Sequence, residues 1–241
     1  MRIVVLTRNA RGIASRFIVR GAVPVEAVLL DESGGPSLRR RLRKLRRAGV
    51  TAAPVGLALR SVYAEAQGEV PHLDDLGVEV VRVPTLNGPE ARNALAGTDV
   101  AVSLDNTLIS EATFSAPRQG TVNVHHGSVP DYRGGPPVFW ELADGRESVG
   151  FTIHLIDAGI DTGPVLAAGE LPIVRRRTLG DTLAATMPRL QEASLDALER
   201  VLVRGQLAGA SQSRGGRART TPTLRDYIRV RRALRHYDHR P

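Results

Sequence analysis

Residues 100–125 read VAVSLDNTLISEATFSAPRQGTVNVH, and the two apolar runs inside that stretch, Val100–Leu104 and Thr121–Val124, decide the fold class. Val100–Leu104 is nearly continuous in small and β-branched residues, the pattern of a strand covered on both faces. Working outward, Arg2–Leu6, Glu26–Leu30 and Val78–Val83 repeat it, each bounded by Gly, Pro or charged residues. Helical patterns fall between them, near Ala10–Arg20, Ser37–Ala48, Leu57–Ala66 and Pro89–Ala96. Apolar strands alternating with helices predict an α/β domain: a mostly parallel sheet with helices on both faces.

Beyond residue 125 the period changes. Gly150–Asp157 sets Phe151, Ile153 and Leu155 against Thr152, His154 and Ile156, as a half-covered strand does, and Pro164–Ile173 is its expected partner. Thr182–Val203 reads as a long helix, with Pro188 expected to kink or restart it and Gly205 to end it. Residues 209–222 are rich in Gly, Ser and Arg and read as a linker. The expected division is therefore a catalytic domain over 1–205 and a linker with a short basic C-terminal appendage over 206–241.

Charge and composition remove several function classes. Of the formal charge of +8, the run SLRRRLRKLRR at 37–47 contributes +7 and residues 206–241 another +7, so the remaining body carries −6. A nucleic-acid partner is therefore not the expectation, despite the positive total. The basic helix is read as a solvated face over a leucine stripe, with an anion-binding rim as the sharper alternative. The tail Thr221–Arg235 is expected to dock on the body. No cysteine is present, which excludes disulfides, thiolate metal sites and a cysteine nucleophile. No apolar run reaches membrane-spanning length and the N-terminus reads as a strand, so the cytoplasm is the expected compartment.

The chemistry concentrates in two segments, Asn123-Val-His125-His126-Gly-Ser-Val-Pro-Asp-Tyr132-Arg133-Gly-Gly and Gly150-Phe-Thr-Ile-His154-Leu-Ile-Asp157-Ala-Gly-Ile-Asp161-Thr-Gly163. Asn123 and His125 are two apart at a strand end, so both side chains point to one face, at the carboxyl edge where open parallel sheets bind ligands. Gly127, Ser128, Pro130, Gly134, Gly135 and Pro136 then form a loop that exposes backbone amides. Asp161, in a Gly-x-Asp-x-Gly turn, is expected at the same edge. One amide, one imidazole and one carboxylate beside such a loop suit acyl transfer without a metal. His126 is read as a packing residue and His154 as a hydrogen-bonded structural one; Trp140 is read equally as core or as acceptor-side.

These two motifs are similar to those of the folate-dependent formyltransferase family, strongly from about residue 98 to 170 and more weakly before it. The resemblance implies a Rossmann-like fold and N10-formyltetrahydrofolate as formyl donor. It implies catalytic roles for Asn123, His125 and Asp161, and a folate pocket around Thr107, Leu108 and Ile109 and the loop Ala158, Gly159, Ile160. In the implied chemistry Asn123 and protonated His125 donate to the developing oxyanion. Asp161 is expected to raise the His125 pKa and to help relay the proton. Tyr132, Arg133, Arg8 and Asn9 are the candidate acceptor-side residues.

Two departures bear on the acceptor. Thr7-Arg8-Asn9-Ala10-Arg11-Gly12 is not the Gly-rich phosphate turn of glycinamide ribonucleotide enzymes. The roughly 36 residues after 205 are too few for the barrel domain of methionyl-tRNA formyltransferases. A small primary amine, an amino sugar first, is the expected acceptor, and related sugar enzymes suggest a homodimer. A formyltetrahydrofolate hydrolase is the alternative enzyme, although the extra N-terminal domain usual there is not seen. A basic RNA- or membrane-associated protein on an inactive scaffold is the non-enzymatic alternative.

Overall fold

The computed structural model describes residues 1–33, 52–106, 108–213, 216 and 218–235. The helix expected over Ser37–Ala48, its basic run 37–47, and Thr107 lie outside these residues.

Seven strands form one sheet: β1 (Ile3–Thr7), β2 (Ala27–Asp31), β3 (Glu79–Val83), β4 (Val100–Leu104), β5 (Thr121–His125), β6 (Ser148–Leu155) and β7 (Val165–Pro172). Their order is β3-β2-β1-β4-β5-β6-β7. The first five are parallel, and β6 and β7 close one side antiparallel. Alternation along β1 shows both faces covered. Ile3 and Val5 join one cluster with α1 (Ile13–Arg20), α2 (Ala52–Ala66) and the later helices. Val4 and Leu6 join a second cluster with Ala91 and Leu95 at α3 (Pro89–Ala94). Two short helices follow, α4 (Glu111–Phe114) and α5 (Phe139–Ala143). Strand order reverses between β1 and β4, which sets the ligand crevice of such sheets outside the carboxyl ends of those two strands, with β5 adjoining β4.

The long helix α6 runs unbroken from Leu179 to Arg204. Thr178 caps it by accepting the Asp181 amide at 3.1 Å, and Gly205 ends it at φ +70°. Pro188 does not restart it. A proline inside a helix costs about 3 kcal/mol, and the buried stripe Leu183, Met187, Leu190, Leu198 and Val201 offsets that cost. A last helix, α7 (Leu224–Arg235), docks through Val230 and Leu234. The expected half-covered character of β6 does not hold: Thr152 and His154, on its polar face, are as buried as Ile153. The site loops cover that face and satisfy it with hydrogen bonds.

Candidate active site

The parallel register pairs Ser103 of β4 with Asn123 of β5, and the antiparallel register sets Asn123 opposite His154 and His125 opposite Thr152. Two polar rows thus meet at the carboxyl edge of β5. His154 Nδ1 lies 2.8 Å from Leu155 O and donates there, which leaves Nε2 to accept from Asn123 Nδ2 at 3.2 Å. The same Nε2 is 3.5 Å from Asp161 Oδ1, a bond it can donate only when the ring is doubly protonated. His154, read from the sequence as structural, therefore orients Asn123.

His125 is buried. Its Nε2 donates to Tyr132 O at 2.7 Å and its Nδ1 faces Asp161 Oδ2 at 3.4 Å. Gly127 allows this approach, because a Cβ there would run into Tyr132 O and the imidazole. Thr152 Oγ1 fixes the loop by donating to Gly127 O at 2.8 Å and accepting from Val129 N at 3.3 Å. The expectation that Asp161 raises the His125 pKa is corrected in its net direction. Burial lowers it and outweighs the opposing charge of Asp161 and the bond to Tyr132.

Asp161 sits in the left-handed region, at φ +52°. Its Oδ2 accepts the Gly134 amide at 2.8 Å. Burial works against its ionisation, but the His154 ring (which bonds it once protonated), the charge of protonated His125 and the Gly134 amide prevail and hold its pKa at about 2. It is therefore a carboxylate at any physiological pH. The loop before it is shaped by Asp157 Oδ1, which accepts from Gly159 N at 3.0 Å and from Thr162 Oγ1. Ala158, Gly159 and Ile160 are exposed at its tip. On the other side of β5, Leu108 is exposed and Ile109 packs on the second core cluster.

The remaining candidates spread out. His126 points to the opposite face, bonds Ser194 of α6 at 3.1 Å, and is driven by burial to a pKa of about 3. The Tyr132 ring turns away from His125 and, with Trp140, Asp144 and Arg219, lines a cavity of about 820 Å³. Trp140 stacks edge-on against Phe139 and donates to the carbonyls of Gly135 and Thr220. Arg133 is buried, bonding Asp161 O, Gln212 and Ser213 O. Arg8 reaches Ser33 O at 3.0 Å, and Asn9 folds onto the Arg11 amide. At the start of α1, Asp105 approaches Gly12 and accepts the Ile13 amide at 3.4 Å, so the chain's own carboxylate meets that helix terminus. Among the described residues no group of three or more His, Asp or Glu side chains is placed to hold a metal, and no helix is long and apolar enough to cross a membrane.

Comparison with known proteins bears on the same residues. Residues 94–202 match the family described as formyl transferase. A methionyl-tRNA formyltransferase of Ruegeria pomeroyi is 38% identical over 133 residues, 54% of this chain and 43% of that protein. One from Sorangium cellulosum is 33% identical over 167 residues, 68% of this chain and 53% of that protein. The chain thus spans about half the length of these relatives. Among solved structures, a sugar N-formyltransferase from Shewanella sp. superposes with TM-score 0.61 at 18% identity, covering 97% of this chain and 88% of that one. An N-formyltransferase from Helicobacter canadensis, solved with folinic acid and dTDP-3-aminofucose, gives 0.59 at 15% identity, covering 99% and 81%. At such identities these likenesses establish the fold.

Proposed function

We propose, from the match of residues 94–202 to the formyl transferase family, that the chain moves a formyl group from N10-formyltetrahydrofolate to a primary amine. The acceptor is a small molecule, an amino sugar first. The observation that carries the reading is the convergence of Asn123, His125 and Asp161 at the carboxyl edge of β5, beside the crevice where strand order reverses. Support for a folate site is the exposure of Leu108 and Ile160, 70% and 44%, on the loops that follow the two strands flanking β5, where each would offer apolar contact to the donor. With Ile109, Ala158 and Gly159 they would hold the folate, which supplies the electrophilic formyl group.

The side chains then have separate tasks. Asn123, held through one N–H by His154, keeps a second N–H for the formyl oxygen as negative charge grows there. His125 contributes a second donor by exchanging Tyr132 O for that oxygen at Nε2. Asp161, ionised, stabilises the imidazolium and would help pass the proton leaving the amine, directly or through water, to N10 as the formyl C–N10 bond breaks and tetrahydrofolate leaves.

The amino-sugar class draws on the sugar enzymes among the structural neighbours. Methionyl-tRNA is the second acceptor class, favoured by the sequence relatives. Purified protein is incubated with N10-formyltetrahydrofolate and nucleotide-linked amino sugars, free amines, glycinamide ribonucleotide or methionyl-tRNA, and tetrahydrofolate release is followed. Acceptor-dependent release that His125→Ala abolishes supports the proposal, release without any amine indicates a hydrolase, and no release above the variant refutes both.

A further inference from the structure

The residue that locks Asp161 in place lies outside the family-matched segment. Asp161 holds a left-handed backbone, which for a non-glycine residue costs roughly 1–2 kcal/mol and persists only where surrounding contacts impose it. One side-chain amide joins these contacts into a single network. Gln212 Nε2 donates to Asp161 O at 3.1 Å and to Gly163 O at 2.6 Å. Gln212 Oε1 accepts from Arg133 Nε at 3.2 Å and Nη2 at 2.7 Å, and Arg133 Nε also reaches Asp161 O at 3.1 Å. The backbone around Gln212 is pinned at both ends. Ala210 exchanges two hydrogen bonds with Val165, at 2.8 and 2.9 Å, and Arg219 N donates to Arg133 O at 2.7 Å.

We infer that Gln212 is a positioning residue, which fixes the Asp161 backbone so that its carboxylate faces His125 and His154. The C-terminal segment is then a working part of the site. The kinetic side of this inference rests on the formyl-transfer reading; its structural side does not. The groups that face His125 are Asp161 at 3.4 Å, the His154 ring at 6.5 Å between centroids, its neighbour His126 and the carbonyl of Tyr132. Asp161 supplies the negative charge among them. Freeing it lowers the pH at which His125 protonates.

The test uses the whole chain without ligand, labelled with ¹⁵N-histidine, and follows each ring by NMR across a pH titration. In Gln212→Ala the His125 protonation constant is expected to fall at least ~3-fold as the facing carboxylate moves away. Arg219→Ala serves as control, because it removes the tail's grip on Tyr132, Trp140 and Asp144 without touching Asp161. If Gln212→Ala does not fold, the uncharged and similarly sized Gln212→Met, which cannot donate to the two carbonyls, gives the same readout. An unchanged His125 titration in the folded variant, or an equal change in Arg219→Ala, overturns the inference. With formyl donor present, Gln212→Ala is expected to lower kcat at least ~10-fold while KM for the donor stays within about 2-fold; the converse split overturns it too. Ring titration thus decides the role of Gln212 even where turnover fails and refutes the formyl-transfer reading.

Discussion

Replacing Asp161 by Asn removes a charge and leaves the shape, so its effect on stability is calculable from the site. The carboxyl is depressed from an ordinary 3.8 to about 2 in the folded chain, with its side chain 16% exposed. At 1.36 kcal/mol per unit, ionised Asp161 stabilises the fold by about 2 kcal/mol. Because the folded value lies below the unfolded one, that stabilisation is complete above about pH 4 and disappears as pH falls to about 2. Urea unfolding at pH 7 is therefore expected to place Asp161→Asn about 2 kcal/mol below wild type. The gap shrinks at pH 3, where wild type has lost much of the advantage and the variant has none to lose. A gap of equal size at both pH values would mean that the amide is a steric misfit and the electrostatic reasoning is wrong. No gap at pH 7 would refute it outright.

Three further outcomes follow from named contacts. Glu141 is buried with neither carboxylate oxygen in a well-formed hydrogen bond, and burial pushes its pKa from 4.5 up to about 7. Relative to Glu141→Gln, which shares every other titrating group, wild type should therefore lose on the order of 3 kcal/mol between pH 5 and pH 8; parallel stability curves would contradict this. Gly134 sits at φ +77° and a Cβ there would lie 2.4 Å from Arg219 O, so Gly134→Ala should be destabilised by at least ~1–3 kcal/mol. It should also expose 209–213 to protease, and wild-type cleavage kinetics would contradict it. Leu190→Ala in α6 deletes a fully buried side chain and should cost about 2–5 kcal/mol in a urea melt with unchanged slope.

The parallel half of the sheet was legible because burial on both faces writes itself as continuous apolar runs, and β1, β2 and β4 lie within a residue of where those runs fall. Asn123 and His125 were legible as an i, i+2 pair at a strand end. His154 was quoted within the motif but assigned to structure, since its role depends on the β5–β6 register, a non-local property. The burial of Thr152 and His154 was missed for a related reason: alternation reports which face is polar, and loops elsewhere in the chain, among them 127–129, decide whether it is covered. The His125 pKa shift was read from its charged neighbour alone, whereas desolvation depends on packing density that a sequence does not carry. Gln212 left no local signal at all. It lies in a Gly/Ser/Arg-rich stretch read as a linker, and only the folded chain brings its amide to Asp161 and Arg133.

The central claim is that Asn123, His125 and Asp161 form one formyl-transfer centre, and the rate of tetrahydrofolate release from N10-formyltetrahydrofolate in the presence of an amine panel tests it most directly. At least one amine should be consumed in step with tetrahydrofolate release and recovered as its formamide. His125→Ala and Asn123→Ala should each lower that rate by on the order of 10²–10³, the usual effect of losing an oxyanion donor. Turnover that persists undiminished in both variants would contradict the account.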